Sequence, residues 1–214
     1  MKTCDDVKWH QGCNQVRGII SLSTVGTPQA IKVRYLIDAS RSTFTVRAFA
    51  SGMLVAFAHN PTIAIPDFEG EVSLNPDAVE QSSLRMVIHA ASLTVTDDIS
   101  EKDRREINRR MHEEVLETDS FADIEYECSR VSGSRITEGQ YMVALNGELT
   151  LHGVARSQPV SARVRLNGDM LRATGDFSVR LSDYEIQPIT AAGGTIKLKD
   201  ELTLSFDISA RKQA

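Results

Sequence analysis

Alternation of apolar and polar residues is the feature that most limits what this chain can become. From Tyr141 to Leu151, residues Tyr141, Val143, Leu145, Gly147, Leu149 and Leu151 fall on one side, and Met142, Ala144, Asn146, Glu148 and Thr150 on the other. Only an extended strand places every second residue on one face, so the run predicts a strand with one face buried and one in water. The pattern recurs with Val160, Ala162, Val164 and Leu166 against Ser161, Arg163 and Arg165, then with Leu171, Ala173, Gly175, Phe177, Val179 and Leu181. Asn167-Gly168-Asp169 between these two runs predicts a hairpin turn. Further runs are Phe44, Val46 and Ala48; Phe68, Gly70, Val72 and Leu74; Leu84, Met86 and Ile88; and Ile196, Leu198, Leu202, Leu204, Phe206 and Ile208.

Many strands with one apolar face each can bury those faces by forming a sandwich or by closing into a barrel. Several runs reach ten residues or more, against a usual strand of about five or six, and long strands favour a tall barrel. One segment breaks the period. Between Ser100 and Glu117, residues Ile107, Met111 and Val115 recur at helical spacing among charged neighbours. Ser100 stands as an N-cap, and Glu101 and Asp103 suit the positive end of the helix dipole. Arg104, Arg105, Arg109 and Arg110 alternate with Glu106, Glu113, Glu114 and Glu117, which reads as a solvated face rather than a membrane-binding one. The expected fold class is therefore all-β: a closed antiparallel β-barrel with one amphipathic α-helix inserted between strands.

With 214 residues, 41% hydrophobic and 25% charged, the chain falls in the ordinary folded class and is long enough for one large β domain. Residues 1–34 show no sustained period and contain Gly26-Thr27-Pro28, so they read as a mobile or atypical N-terminal segment. The barrel domain is expected over residues 35–210, with residues 211–214 as a tail. A net charge of -5 and a pI near 5.6 disfavour a phosphate-backbone partner, so no nucleic acid is expected. No apolar run approaches bilayer length, so no stable membrane insertion is expected either. Gly18 to Leu22 is too short for the core of a secretory signal, and the chain as written is expected in the cytoplasm. Cys4, Cys13 and Cys128 are odd in number and form no metal-ligand cluster. In a chain with no secretory signal they are expected to be reduced thiols, with chelation by Cys4, Cys13 and His10, or a disulfide, as the lesser reading.

The inward positions include Ala48, Gly70, Gly147, Ala162, Ala173 and Gly175. In a barrel of about eight strands, missing side-chain volume leaves room for a small ligand. The same glycines also suit bulges and strand bends, and the pattern alone weighs the two readings equally. The large inward residues Phe44, Val46, Met86, Ile88, Tyr126, Phe177, Val179, Leu204 and Phe206 are the candidate ligand-binding lining. A one-residue slip would invert that assignment. If the alternation from Ile196 to Ile208 is unbroken, Asp200 also points inward, and a buried carboxylate needs a partner. That partner is the polar head of a ligand or an arginine, unless the residue lies at a rim or a bulge. His59, ahead of the turn at Asn60-Pro61, is the other candidate for a polar head contact.

His10, His59, His89, His112 and His152 show no ligand-like clustering, and no nucleophile elbow, phosphate loop or zinc-binding helix motif is present. No catalytic residue and no metal are therefore assigned.

Tyr35-Leu36-Ile37-Asp38, the later Asn146-Gly147-Glu148-Leu149-Thr150-Leu151-His152-Gly153 and the segment from Val179 to Ile186 follow one another in a fixed order. In this the chain resembles the YceI-like family, over roughly Tyr35 to Ala210. The helix leading through Glu114-Val115-Leu116-Glu117 into Ile124-Glu125-Tyr126 resembles that family too. Two positions depart from it: Arg41 stands where the family often has His before Ser42, and Ser182-Asp183-Tyr184-Glu185 replaces a Ser-Arg-x-x-Phe-Gly pattern.

The resemblance implies a lipocalin-like barrel whose apolar tunnel takes a polyisoprenoid, a quinone or a fatty-acyl lipid, with no resident cofactor. The expected partner is that apolar small molecule, and a homodimer is left open. An enzyme acting on such a lipid and a filled-barrel interaction module are the alternative readings.

Overall fold

The computed structural model describes residues 32–52, 60–187, 190–191 and 196–213. The first strands are β1 (Val33–Ile37), β2 (Thr43–Arg47), β3 (Ala50–Gly52), β4 (Thr62–Ala64), β5 (Phe68–Leu74), β6 (Ser83–His89) and β7 (Thr94–Val95). Helix α1 (Glu101–Arg110) follows and continues as a π-helical turn over Met111–Val115. Then come β8 (Asp123–Cys128), β9 (Val131–Thr137), β10 (Gln140–Leu151), β11 (Val154–Asn167), β12 (Met170–Arg180), β13 (Thr190–Ala191), β14 (Ile196–Leu198) and β15 (Glu201–Lys212).

Several of these are halves of one bent strand. β1 and β2 both pair with β15, on either side of a 3-10 turn at Ala39–Arg41. β4 pairs with β2 while β5 pairs with β1, and β7 pairs with β4 while β6 pairs with β5. β8 and β9 both lie along β10. Joining the halves leaves a closed eight-stranded antiparallel meander, in which β15 meets β12 on one side and β1 and β2 on the other. Separately, β3, β14 and β13 form a small three-stranded sheet.

The alternation of the sequence is the alternation of the barrel wall. Tyr141, Val143, Leu149 and Leu151 of β10, Val160, Ala162 and Val164 of β11, and Leu171 and Val179 of β12 are all buried. The alternate positions Asn146, Glu148, Ser161, Arg163 and Arg165 are exposed on the outer face, together with the apolar Met142. β10 pairs with β11 without interruption from Gln140↔Arg165 to Leu151↔Val154, across a two-residue turn made of His152 and Gly153. Both turn residues have positive φ, 52° and 72°, which is the twist that joins right-handed strands tightly.

The helix forms where its spacing predicts. The Ser100 hydroxyl accepts from the Asp103 backbone N–H at 3.1 Å and donates to the Asp103 carboxylate at 2.7 Å. The outer face is a lattice of ion pairs: Arg109 meets Glu106, Glu113 and Glu114, and Arg110 meets Glu106. Hydrogen bonds from Arg109 and Arg110 hold the Glu106 carboxyl down to about 2.

The inward glycines are corrected by the structure: they do not hold space open. A Cβ on Gly147 would lie 2.5 Å from Cζ of Tyr126 and 2.6 Å from the Glu127 carbonyl oxygen. One on Gly175 would lie 2.4 Å from the Ser161 carbonyl oxygen and 2.7 Å from Cζ of Phe206. One on Gly70 would meet the Arg85 carbonyl oxygen at 2.5 Å and Cδ1 of Ile37 at 2.8 Å. Each glycine lets a neighbouring strand and a side chain close over bare backbone, an outcome distinct from both the open room and the bulges or strand bends that the pattern weighed equally.

Gly147→Ala is expected to lower the unfolding free energy by about 1–3 kcal/mol, since the added carbon overpacks a filled site. Urea titration checks the value. In a Tyr126→Leu background the penalty shrinks, because part of the clash is with that ring.

Candidate functional site

The barrel interior is divided. Toward the helix lies a chamber of about 780 Å³, walled by Val46, Ile63, Ile88, Leu149, Leu151, Val179, Leu181 and Leu204. Ile107, Met111, Val115 and Leu116 roof it from the helical segment, and Leu93, Ile99 and Leu198 complete its sides. Asp97, Asp98, Ser100, Asp103, Glu106 and Arg110 are the polar residues around it. Deeper in the barrel is a second space of about 120 Å³, lined by Phe44, Met86, Tyr126, Phe177 and Phe206 with smaller aliphatic neighbours. Ile88 borders both.

The helix can roof the chamber because the strand wall opens there. β6 pairs with β8 from Leu84↔Cys128 to His89↔Asp123, and the chain then bends through a 3-10 turn at Ala90–Ser92. Beyond that bend β7 pairs with β4 alone, and its far edge would leave backbone groups unpaired. Side chains of α1 satisfy that edge. Asn108 Oδ1 accepts from the Val95 N–H at 3.0 Å, and its Nδ2 donates to Thr94 Oγ1 at 3.0 Å. The Arg104 guanidinium donates to the Val95 carbonyl at 2.9 Å and to the Asp97 carbonyl at 3.0 Å. The other end is tied where Glu117 Oε2 meets His152 Nε2 at 3.2 Å, with the Phe121 ring 4.2 Å from the imidazole.

All nine candidate lining residues face the interior. Val46, Ile88, Val179 and Leu204 border the large chamber, while Phe44, Met86, Tyr126, Phe177 and Phe206, with Ile88, border the small one. Tyr126 is anchored at its polar end, its hydroxyl lying 3.0 Å from the Gln158 carbonyl and 3.3 Å from that of Leu145. Burial pushes its phenol above the ordinary value.

The two polar candidates fare differently. His59 lies outside the described residues. Asp200 is a correction: the run from Ile196 to Ile208 is broken, because β14 belongs to the small sheet with β3 and β15 starts afresh at Glu201. In that break the Asp200 carboxylate accepts from the Ser182 N–H at 2.8 Å and the Ser182 hydroxyl at 2.7 Å. These two bonds hold its pKa below the usual value. It does not face the chamber.

Of the other histidines, His89 pairs with Asp123 at 3.0 Å on the outer surface, and His112 keeps a buried Nδ1 with no hydrogen-bond partner. Among the described residues no group of three metal-binding side chains comes together. Cys128 is buried and its thiol is pushed up by burial, while Cys4 and Cys13 lie outside the described residues. The periodicity of Ile107, Met111 and Val115 marked an apolar helix face, but nothing in it said that the face would roof a cavity.

A closed eight-stranded barrel that keeps an apolar chamber under a helix has the architecture of β-barrels whose interior is wide enough for one small ligand. The chain belongs to the YceI-like family: the model of the YceI-like domain matches residues 35–210. The fold is similar to BcnA of Burkholderia cenocepacia, with a TM-score of 0.62 and 17% identity, covering 81% of this chain and 98% of that one. It is also similar to a polyisoprenoid binding domain from Saccharophagus degradans implicated in plant cell wall breakdown. There the TM-score is 0.60 at 15% identity, over 84% of this chain and 98% of that one. A Campylobacter jejuni YceI protein matches at a TM-score of 0.55 and 14% identity, over 73% of this chain and 88% of that one. No curated protein matches. Among the described residues no helix is long and apolar enough to cross a membrane.

Two outcomes follow from this geometry. Asn108→Ala leaves the Val95 amide without its acceptor and is expected to cost about 1–3 kcal/mol, with faster hydrogen exchange at Val95 and along α1. Asp200 has a depressed folded pKa, so its contribution is present above the ordinary carboxylate range and is lost as pH falls through the folded value. The stability difference between wild type and Asp200→Asn is therefore expected at neutral pH and should vanish in acid, as read by thermal unfolding across pH.

Proposed function

We propose that this protein binds a long apolar lipid in the chamber beneath the helix, as a carrier or store rather than as a catalyst. The chemical class is a polyisoprenoid, a quinone-like isoprenoid or a fatty-acyl chain. The observation that carries the reading is the chamber itself: about 780 Å³ lined mainly by aliphatic side chains, well within the range of small-molecule sites.

Magnitudes favour a long ligand. Burying one methylene contributes about 0.8 kcal/mol, so a chain of about 20 carbons gives roughly 16 kcal/mol before costs. Immobilising a ligand costs about 4–15 kcal/mol. A chain of a few carbons would not overcome that, and a chain long enough to fill the chamber would.

The polar residues at the chamber suit a ligand with one polar end, with Asp97, Asp98 and Ser100 placed where a head group would meet water. The polyisoprenoid binding domain of Saccharophagus degradans, which shares the fold, supports the isoprenoid member of the class. The half-empty interior argues against a filled-barrel interaction module. Asp200, bonded to Ser182, offers no acid or base to the chamber.

Mass spectrometry of an organic extract of the purified protein is expected to show an isoprenoid, quinone or fatty-acyl lipid near one equivalent. Delipidated protein should take the same lipid up again. Protein that arrives empty and takes up no such lipid would remove the reading.

A further inference from the structure

The boundary between the two cavities falls between successive inward residues on four strands, while on β6 Ile88 borders both. On β2 it lies between Phe44, which borders the small space, and Val46, which borders the chamber. On β15 it lies between Phe206 and Leu204, on β12 between Phe177 and Val179, and on β8 between Tyr126 and Ile124. Phe44, Phe177 and Phe206, the first inward residues on the small-space side, pack on one another directly beneath the aliphatic floor of the chamber made by Val46, Val179 and Leu204. The Phe44 and Phe206 rings are 6.3 Å apart at 71°, and the Phe177 and Phe206 rings are 6.3 Å apart at 57°. Phe44 also packs against Phe68, edge-on at 6.0 Å. Phe206 leans on the bare backbone of Gly175, where a Cβ would lie 2.7 Å from its ring.

We infer that this aromatic septum sets the length of chain the protein accepts. The inference rests on the lipid-binding reading and deepens it by naming the residues that end the site. At about 30 Å³ for each water-sized group, the chamber takes about 25 non-hydrogen atoms, or roughly five isoprene units. The space beyond the septum adds about 120 Å³, or roughly four more atoms. Tyr126 is fixed by its bonds to the Leu145 and Gln158 carbonyls. The phenylalanine rings are held by ring and aliphatic contacts alone, so they are the part of the layer beneath the chamber that substitution removes cleanly.

The test uses delipidated full-length protein and all-trans prenyl alcohols of two to eight isoprene units, with dissociation constants measured for each. For wild type, affinity should rise severalfold with each unit until the chamber is full, then level off as further units remain in water. In Phe206→Ala the rise should continue for at least one more unit, and Phe177→Leu should move the break in the same direction by less. Circular dichroism and thermal unfolding show that each variant is folded; if Phe206→Ala fails to fold, Phe206→Leu replaces it.

Affinity that climbs without a break to the longest alcohol in wild type would overturn the septum. So would a break at the same length in wild type and in folded septum variants. Failure of every alcohol to bind wild type would remove the isoprenoid reading itself, and the septum with it. Binding of short alcohols with an unmoved break removes the septum alone.

Discussion

Closure of the hydrogen-bonded ring is the interaction on which the rest depends. β15 pairs along its length with β12 and, on its other side, with β1 and β2. Without that last seam, two long strand edges would present unpaired N–H and C=O groups to water or to another chain. With it, strand number fixes the width of the interior. Eight strands leave a lumen that side chains can fill or that one small ligand can occupy. Which of the two happens is then decided level by level, by the size of the inward residues and by what closes each end.

In this barrel the two halves take different solutions. Around Gly70, Gly147 and Gly175 neighbouring strands and side chains close over the missing side chains, and the space left in that half is only about 120 Å³. Toward the helix the aliphatic residues stop short of one another. β7 departs from β8 after the turn at Ala90–Ser92, and the opening is covered by a helix rather than by another strand. A helix cannot extend a strand ladder. Its attachment depends on Asn108 and Arg104 reaching the edge of β7, and on the contact of Glu117 with His152. Side-chain anchors of this kind are fewer than the bonds of a strand pair, so the roof opens at lower cost than the strand ladders it covers.

Much of the wall was legible because side-chain direction in a strand is a local property. Alternation placed Phe44, Val46, Met86, Ile88, Tyr126, Phe177, Val179, Leu204 and Phe206 on the inner face, and the structure has them there. Where a strand bends, the local rule fails. The same alternation carried through Lys199 and Asp200 would bury a carboxylate, but the chain turns there between two sheets, and Ser182 supplies the donors. Glycine was ambiguous for a related reason. Its missing side chain signals room or close approach equally, and only the position of Tyr126 and Phe206 on neighbouring strands decides between them.

The sequence by itself determined the all-β class, the inward set of residues and the capped amphipathic helix. These depend on period, composition and spacing, which act between residues close in the chain. Tertiary structure alone decided that the helix roofs a chamber, that the glycines are covered, and that three phenylalanines meet on the inner face beneath that chamber. Each of these is a contact between residues far apart in sequence, brought together by closure of the ring, and volume left between such residues has no local signature.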